Sequence, residues 1–431
     1  MKAVILAGGK GSRLKEHTAE IPKPLIRIEG KPVLQYQIES LAKSGIRDIL
    51  LSIGYLGDRI IEYFGDGSSF GVNINYLEEA SPLGTGGVIH LLKEKLDEDF
   101  IFLYGDIVLN VDWQKIKDFH YINKGIATAL IHPNDHPFDS DLVIMDQGCR
   151  ISGISYKNSP RQYYSNLVNA GIYLLSSKIL SYSVCGKADF EKDILSRVLS
   201  EGRPVYGYRT PEYVKDMGTE TRLARIREDI RNGLPEKKAL YNKQKCVFLD
   251  RDGTVNKLTG LLSKPDELEL EAGAAEAVKL INSSGCLCIV ITNQPVVARN
   301  LCTLDELGSI HQRLETLLGN EGAYLDDLFF CPHHPDRGYP DENREYKIKC
   351  SCRKPASGLI LAAAEKYNIS LPDSFFIGDT TVDIQTGKNA GIKTVLLETG
   401  EAGKDGKFNA EPDLKAKNLY SAVKMILEEL E

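Results

Sequence analysis

Cys246-Val-Phe-Leu-Asp250-Arg-Asp252-Gly-Thr254-Val-Asn256 is an apolar run of β type that ends abruptly in two carboxylates and a glycine. A short buried strand with this ending delivers both acids to the open C-terminal edge of a sheet, where α/β folds place their ligands. Two carboxylates so close raise one another's proton affinity unless a cation lies between them or one keeps its proton. Phosphoryl transfer uses both outcomes: Asp250 beside Mg²⁺ can attack phosphorus, while Asp252 protonates the leaving oxygen and then activates water. An acidic glycine turn without function looks the same locally, so the surrounding chain has to decide.

Working outward, 431 residues exceed one ordinary core and predict two or three domains. The composition, 42% apolar and 26% charged, is that of a soluble globular enzyme. A formal charge of −7 argues against a nucleic-acid partner, which requires a concentrated basic surface. The Arg-rich segment Arg222, Arg225, Arg227 and Arg231 is interleaved with Glu228 and Asp229 and reads as a solvated helix face. Met1 to Ala7 is apolar, but Gly8-Gly9-Lys10-Gly11 cuts it short of a signal-peptide core, and no run reaches membrane-spanning length. Nine cysteines without an export signal then point to a reducing cytoplasm. Oligomeric state leaves no readable mark.

In the first half, the strand-like Lys2 to Leu6 leads into Ala7-Gly8-Gly9-Lys10-Gly11-Ser12-Arg13-Leu14, a loop whose free amides can converge on phosphate. Leu14 stands where a dinucleotide fingerprint needs its third glycine, and no Gly-Lys-Ser/Thr closes a P-loop. Strand-like runs (Ile49 to Ile53, Phe100 to Tyr104, Ala127 to Ile131) alternate with helix-like ones (Leu34 to Ser44, Asp58 to Phe64, Thr85 to Lys95), the rhythm of a mostly parallel sheet covered by helices. Tyr104-Gly-Asp106 again ends a buried strand in acid, as a metal ligand or as a cap.

Leu6-Ala-Gly-Gly-Lys-Gly-Ser-Arg-Leu14, Pro22-Lys-Pro-Leu25, Pro82-Leu-Gly84-Thr85-Gly86-Gly87, Tyr104-Gly-Asp106, Asn169-Ala-Gly171, Phe190-Glu191-Lys-Asp and Asp216-Met-Gly-Thr together resemble the sugar-1-phosphate nucleotidyltransferase family over Met1 to about Leu234. The resemblance implies a Rossmann-like (GT-A-like) sheet, with Gly8, Gly9, Gly11 and Arg13 on the triphosphate and Lys23 on the reacting phosphates. It puts Gly84, Thr85 and Gly86 at the base, Asp106 and Asp216 on Mg²⁺, and Asn169, Gly171 and Glu191 on the sugar. Lys157 would lie near the sugar phosphate, although Tyr156-Lys157-Asn158 departs from the family's usual Glu-Lys-Pro. Such a reaction brings two anions together against their repulsion, and Mg²⁺, Arg13 and Lys23 would supply the screening.

The stretch 235–245 is polar and reads as a linker. Beyond Asp250 come a hairpin-like stretch around Thr259-Gly260, a helix from about Ala272 to Ser283, and a strand from Cys286 that ends Thr292-Asn293-Gln294, where the Thr292 hydroxyl can meet a phosphoryl group. Cys331-Pro-His333-His334-Pro and Cys350-Ser-Cys352 offer three thiols and an imidazole, a closed tetrahedral set suited to structural Zn²⁺, with His333 as the imidazole and His334 as the alternative. Cys352 directly precedes Arg353-Lys354-Pro355, so the metal would fix a loop carrying phosphate-binding cations. Phe375-Phe-Ile-Gly378-Asp379-Thr-Thr-Val-Asp383 ends one more buried strand in acid.

Nucleophile, Thr, Lys and a distal Asp pair in this order resemble the four motifs of the haloacid dehalogenase (HAD) superfamily, from about Cys246 to Leu430. The resemblance implies a doubly wound parallel sheet with a zinc loop. Asp250 would become an aspartyl-phosphate, Asp252 would serve as acid and base, and Thr292 and Lys354 would bind phosphoryl oxygens, with Asn293 at the substrate. Mg²⁺ would lie on Asp250, Asp252 and Asp379, with Asp383 behind. The zinc loop and Asp-Arg-Asp-Gly-Thr-Val-Asn narrow the likeness to heptose 1,7-bisphosphate 7-phosphatases, with histidinol-phosphate phosphatases as near relatives, and Arg353 would select the second phosphate. Pro295-Val296-Val297 and Leu261 depart from that pattern and bear on substrate choice.

The expectation is an α/β protein of two domains, a nucleotidyltransferase at 1–234 and a phosphatase at 246–431, making a nucleotide-activated heptose from small-molecule substrates. Its rivals are a hexose-1-phosphate nucleotidyltransferase joined to an unrelated phosphatase, and a chain in which one half only binds.

Overall fold

The computed structural model describes residues 1–9, 14, 20–339 and 341–430, and the chain forms two compact units. Unit 1 comprises Met1–His132, Val143–Ser155 and Asn169–Ala239, and unit 2 comprises Pro133–Leu142, Tyr156–Val168 and Leu240–Glu431. The last change of unit, between Ala239 and Leu240, falls inside the polar stretch 235–245. The excursions 133–142 and 156–168 are bound into unit 2 by long-range contacts, such as the Tyr164 amide donating to Thr316 Oγ1 (3.0 Å) and the Asn166 amide to the Glu315 carboxylate (3.0 Å).

In unit 1, Lys2–Leu6 is an inner strand of a nine-stranded sheet, parallel to Asp48–Ile53 on one side and to Phe100–Tyr104 on the other. Ala3, Val4 and Ile5 are fully buried, as a strand covered on both faces demands, which explains a continuous apolar run without alternation. The sheet is mixed, because Val168–Leu175 runs antiparallel to Phe100–Tyr104. The helices Val33–Lys43 and Gly57–Phe64 press Leu34, Ile38, Leu41, Ile60 and Phe64 into the core. The helix expected to reach Lys95 ends at Leu91 and loosens into turns. A separate pair, Ile107–Asn110 antiparallel to Tyr213–Asp216, sets Asp216 opposite Ile107.

Unit 2 holds six parallel strands in the order Asp327–Cys331, Leu287–Asn293, Cys246–Leu249, Phe375–Gly378, Lys393–Leu397, Leu414–Ala416. Numbered along the chain from Cys246 this is 3-2-1-4-5-6, the doubly wound order, and the crevice opens where the order reverses, beside Cys246–Leu249. Apolar layers cover both faces. Thr303 and Glu306 form a capping box that starts the helix Leu304–Asn320. No tight hairpin forms at Thr259-Gly260. Two rungs, Lys257 N to Glu269 O and Glu271 N to Val255 O, close a wider loop, because Ser263 and Lys264 donate their amides to Glu267 and wind a short 3₁₀ turn there.

Candidate functional site

The unit 2 site is assembled from strand ends. The Asp250 amide donates to Ile377 O (2.9 Å), so the residue leaves Cys246–Leu249 pinned against the neighbouring strand. Lys354 Nζ reaches Asp250 Oδ1 and Asp383 Oδ1, each at 2.6 Å. Asp383 can do this because its other oxygen is committed to the capping box that starts the helix Thr381–Ala390, accepting from the Thr380 amide (3.1 Å) and hydroxyl (2.5 Å). Carboxylate oxygens of Asp250, Asp379 and Asp383 lie within 4.8 Å of one another. Three buried acids against one ammonium leave uncompensated negative charge, and Asp379 Oδ1 has no hydrogen-bond partner among the described residues. An all-oxygen donor set with a spare lone pair suits a hard divalent cation such as Mg²⁺.

Without a cation, burial and then Asp383 push Asp250 up to about 7, and burial and then Asp250 and Asp383 push Asp379 up to about 8. Burial works against the Lys354 ammonium, but Asp250 and Asp383 outweigh it and raise its proton affinity. A divalent cation must therefore displace protons at neutral pH. Affinity for Mg²⁺ is expected to rise from pH 6 to pH 8, by up to about tenfold per unit for each proton released, and to level off above pH 8. Calorimetric titration at each pH checks this, and a flat profile would mean that Asp250 and Asp379 do not bind the ion.

Asp252 stands apart from that trio, although the sequence suggested it among the Mg²⁺ ligands. Its carboxylate takes Arg251 Nη2 on both oxygens (2.9 Å each), Asn256 Nδ2 (2.9 Å) and Gln294 Nε2 (2.8 Å). Arg251 is fully buried and needs a carboxylate partner, which decides where Asp252 points. Burial favours a protonated Asp252, but the Arg251 charge and these hydrogen bonds prevail and hold it below the usual carboxylate range. Gln294 Nε2 also donates to Thr292 Oγ1 (2.9 Å), linking strand end to acid. Asn293 spends both ends of its amide on the Lys354 backbone (2.9 and 3.1 Å), so it positions Lys354 from behind. Gly253 has φ +79°, and a Cβ there would lie 2.3 Å from Asp379 Oδ2. Gly253→Ala is expected to cost about 1–3 kcal/mol of stability and most of the phosphatase rate, read by melting and orthophosphate release.

The thiols of Cys331, Cys350 and Cys352 lie 3.1–3.5 Å apart, and His333 Nδ1 lies 3.3 Å from Cys352 Sγ. This is close to the edge of a tetrahedron of Zn–S bonds, about 3.8 Å, so the donor set fits the metal. His334 is not part of it and faces Asp336 and Tyr339. Arg353 Nη1 donates to His333 O (2.9 Å), tying the loop to the residue beside Lys354. Stripping zinc by exhaustive chelation and then restoring Mg²⁺ alone is expected to loosen the loop around Cys350 and lower phosphatase activity at least tenfold, leaving nucleotidyl transfer unchanged. Unaltered phosphatase kinetics in verified metal-free protein would remove the role for zinc.

In unit 1, Lys23 pairs with Asp106 at the end of Phe100–Tyr104. The Met217 amide donates to Asp106 O (3.1 Å), which brings Asp216 alongside, where Arg222 grips both its oxygens (2.8 and 2.9 Å). Arg222 is thus no part of a purely solvated face. The backbone bond places the two acids on neighbouring segments, with Lys23 as the counter-charge of Asp106 and Arg222 as that of Asp216.

Glu191 accepts from Tyr104 Oη (2.9 Å) and Tyr173 Oη (2.7 Å) and lies 3.3 Å from Asn169 Nδ2, while Asn169 Oδ1 accepts from the Gly171 amide (3.1 Å). Burial raises the Glu191 proton affinity. Gly84 and Gly86 lie against the Ala188–Phe190 backbone, where a Cβ would come within 2.5 and 2.8 Å, and Thr85 Oγ1 accepts from Phe190 N (2.9 Å). Glu79, which the sequence did not single out, accepts from Ser52 Oγ (2.7 Å) and Leu83 N (3.0 Å) and packs under Gly8. Gly9 follows in the same loop, whereas Gly11 and Arg13 lie outside the described residues. Lys157 falls in unit 2, its ammonium 3.4 Å from Asp139.

Known proteins resemble each half. A family model described as Nucleotidyl transferase matches residues 2–233, and one described as HAD-hydrolase-like matches residues 351–422. Mannose-1-phosphate guanyltransferase of Saccharomyces cerevisiae is 29% identical over 222 residues, 51% of this chain and 61% of that protein, so the chain spans only part of these relatives. D-glycero-D-manno-heptose-1,7-bisphosphate 7-phosphatase of Thermosynechococcus vestitus is 35% identical over 192 residues, 43% of this chain and 96% of that protein. The solved structure of HddC from Yersinia pseudotuberculosis is 28% identical and covers 53% of this chain and 99% of that one, with a TM-score of 0.47. With one model matching more than half of its length and a phosphatase matched almost end to end, the chain belongs to the nucleotidyl transferase family and carries a HAD-like phosphatase as its second half.

Proposed function

We propose that the chain is a bifunctional enzyme of nucleotide-activated heptose synthesis. Residues 246–431 remove the 7-phosphate of D-glycero-D-manno-heptose 1,7-bisphosphate, and residues 1–234 join the resulting heptose 1-phosphate to GMP from GTP, releasing pyrophosphate. The observation that carries this reading is the match to 96% of a phosphatase named for that substrate, in a chain whose other half is similar to a mannose-1-phosphate guanyltransferase, an enzyme named for a sugar 1-phosphate such as that phosphatase would make.

In the phosphatase, Asp250 attacks phosphorus while Asp252, ionised against Arg251 in the free enzyme, takes up a proton as the substrate phosphate binds and gives it to the departing sugar oxygen. Asp252 then takes a proton from the water that hydrolyses the aspartyl-phosphate. Lys354 and Thr292 hold the phosphoryl oxygens, and Arg353 meets the 1-phosphate. In the transferase, Gly8, Gly9, Gly11, Arg13 and Lys23 hold the triphosphate and Gly84 to Gly86 the base. Asn169, Gly171 and Glu191 hold the sugar. Mg²⁺ on Asp250 and Asp379, and on Asp106 and Asp216, supplies counter-charge to phosphate oxygens, while Zn²⁺ on Cys331, His333, Cys350 and Cys352 braces a loop. No described helix is long and apolar enough to cross a membrane, and we place the enzyme in the cytoplasm, where its substrates occur.

Phosphorus NMR of the full chain with heptose 1,7-bisphosphate and each nucleoside triphosphate in turn tests the reading. Orthophosphate, pyrophosphate and a sugar nucleotide should all appear with GTP. The guanyltransferase relatives favour mannose 1-phosphate as the rival acceptor, and its faster conversion would replace heptose.

A further inference from the structure

We propose that unit 1 carries a second anion-binding site, remote from Asp106, that takes a phosphorylated small molecule. A cavity of about 320 Å³ is lined by Asp99, His120, Tyr121, Lys124, Lys178 and Arg203, among others. That volume is at the lower end of small-ligand sites. Asp99 precedes the strand Phe100–Tyr104, and Asp106 follows it. At about 3.3 Å per residue the cavity therefore lies about 20 Å from the nucleotidyl centre, at the opposite edge of the sheet.

Its charge is the reverse of the chain's. Three cations face one carboxylate in a protein of formal charge −7. The carboxylate is already engaged, because Asp99 Oδ1 accepts from the Ser177 amide (3.2 Å), and its other oxygen is 3.8 Å from His120 Nε2, too far for a hydrogen bond. Neither Lys124 nor Lys178 pairs with a carboxylate among the described residues. The segments bearing the cations are held together by backbone bonds, Ile126 N to Pro204 O (2.8 Å) and Ser176 N to Ile126 O (2.9 Å). The three cations are thus carried on braced neighbouring turns around one cavity, where a single anion can meet them together. His120 is buried as floor, its Nδ1 on Thr128 Oγ1 (2.8 Å). A phosphate fits among Lys124, Lys178 and Arg203 through charge-assisted bonds, and the exposed ring of Tyr121 with Pro204 offers an apolar wall for the attached carbon skeleton.

Pyridoxal 5′-phosphate tests the site, since its phosphate anchors and its aldehyde labels a nearby amine on borohydride reduction. Treating the full chain and mapping peptides by mass spectrometry should show Lys124 or Lys178 labelled about tenfold more than exposed Lys407 and Lys417. Pyrophosphate should suppress that labelling, and Arg203→Ala should weaken it about tenfold. Labelling at Lys124 and Lys178 no greater than at Lys407 and Lys417, or unchanged by Arg203→Ala, would overturn the proposal.

Discussion

Asp250→Asn is expected to stop orthophosphate release from heptose 1,7-bisphosphate, by about 10⁴-fold or more, while pyrophosphate release from supplied heptose 1-phosphate and GTP continues at the wild-type rate. The amide keeps the shape of the side chain and loses its nucleophilicity. Folding should survive the change, because Lys354 keeps its 2.6 Å partner in Asp383 and the Asp250 backbone bond to Ile377 is untouched. Removing one of three crowded acids also relieves the burial of a charge and the repulsion that together drive Asp250 and Asp379 to bind protons near neutrality, so the melting temperature in the absence of metal at pH 8 should hold or rise. Quenching in acid should trap a phosphorylated wild-type enzyme and none in the variant. A rate within tenfold of wild type would take the nucleophile's role from Asp250, and loss of both activities would contradict two independent centres.

Asp250 and Asp379 stood out in the sequence because each directly follows a fully buried apolar strand, Cys246–Leu249 and Phe375–Gly378. Thr292 and Lys354 were picked out by the order of the motifs, and Cys331, His333, Cys350 and Cys352 by their spacing. The residues that aim them were not. Arg251 sits between the two acids and looks like a spacer, yet its complete burial is what turns Asp252 away from Asp379 and Asp383. Asn293 looked like a substrate contact because it follows Thr292, but a single sequence cannot show that the Lys354 backbone lies against it, 61 residues on. Arg222 was hidden in an alternating charge pattern in which Arg225 does face an acid of its own helix, Asp229, while Arg231 reaches away to Glu29. Gly84 and Gly86 were read as base-pocket residues, and their need for Gly also comes from the close passage of Ala188–Phe190, a contact only the fold reveals. The excursions 133–142 and 156–168 escaped for the same reason, since nothing local distinguishes a loop by the unit it packs in.

Asp106→Asn should do the reverse of the Asp250 change. Pyrophosphate release should fall by about 10²–10⁴-fold with orthophosphate release unchanged, since counter-charge at the reacting phosphates is the main service a nucleotidyl transfer asks of the protein. The variant leaves Lys23 without its ion-pair partner, and that ammonium becomes freer to meet a nucleotide phosphate. Triphosphate binding in the absence of Mg²⁺ should therefore hold or tighten slightly while catalysis collapses, and this split separates a metal-holding role from a merely structural one. Asp216 cannot substitute alone, because Arg222 already holds both of its oxygens and one carboxylate offers too few of the six ligands Mg²⁺ needs. Raising Mg²⁺ should accordingly recover only part of the rate. Full recovery, or a matching loss of nucleotide affinity, would mean that Asp106 serves chiefly to seat Lys23.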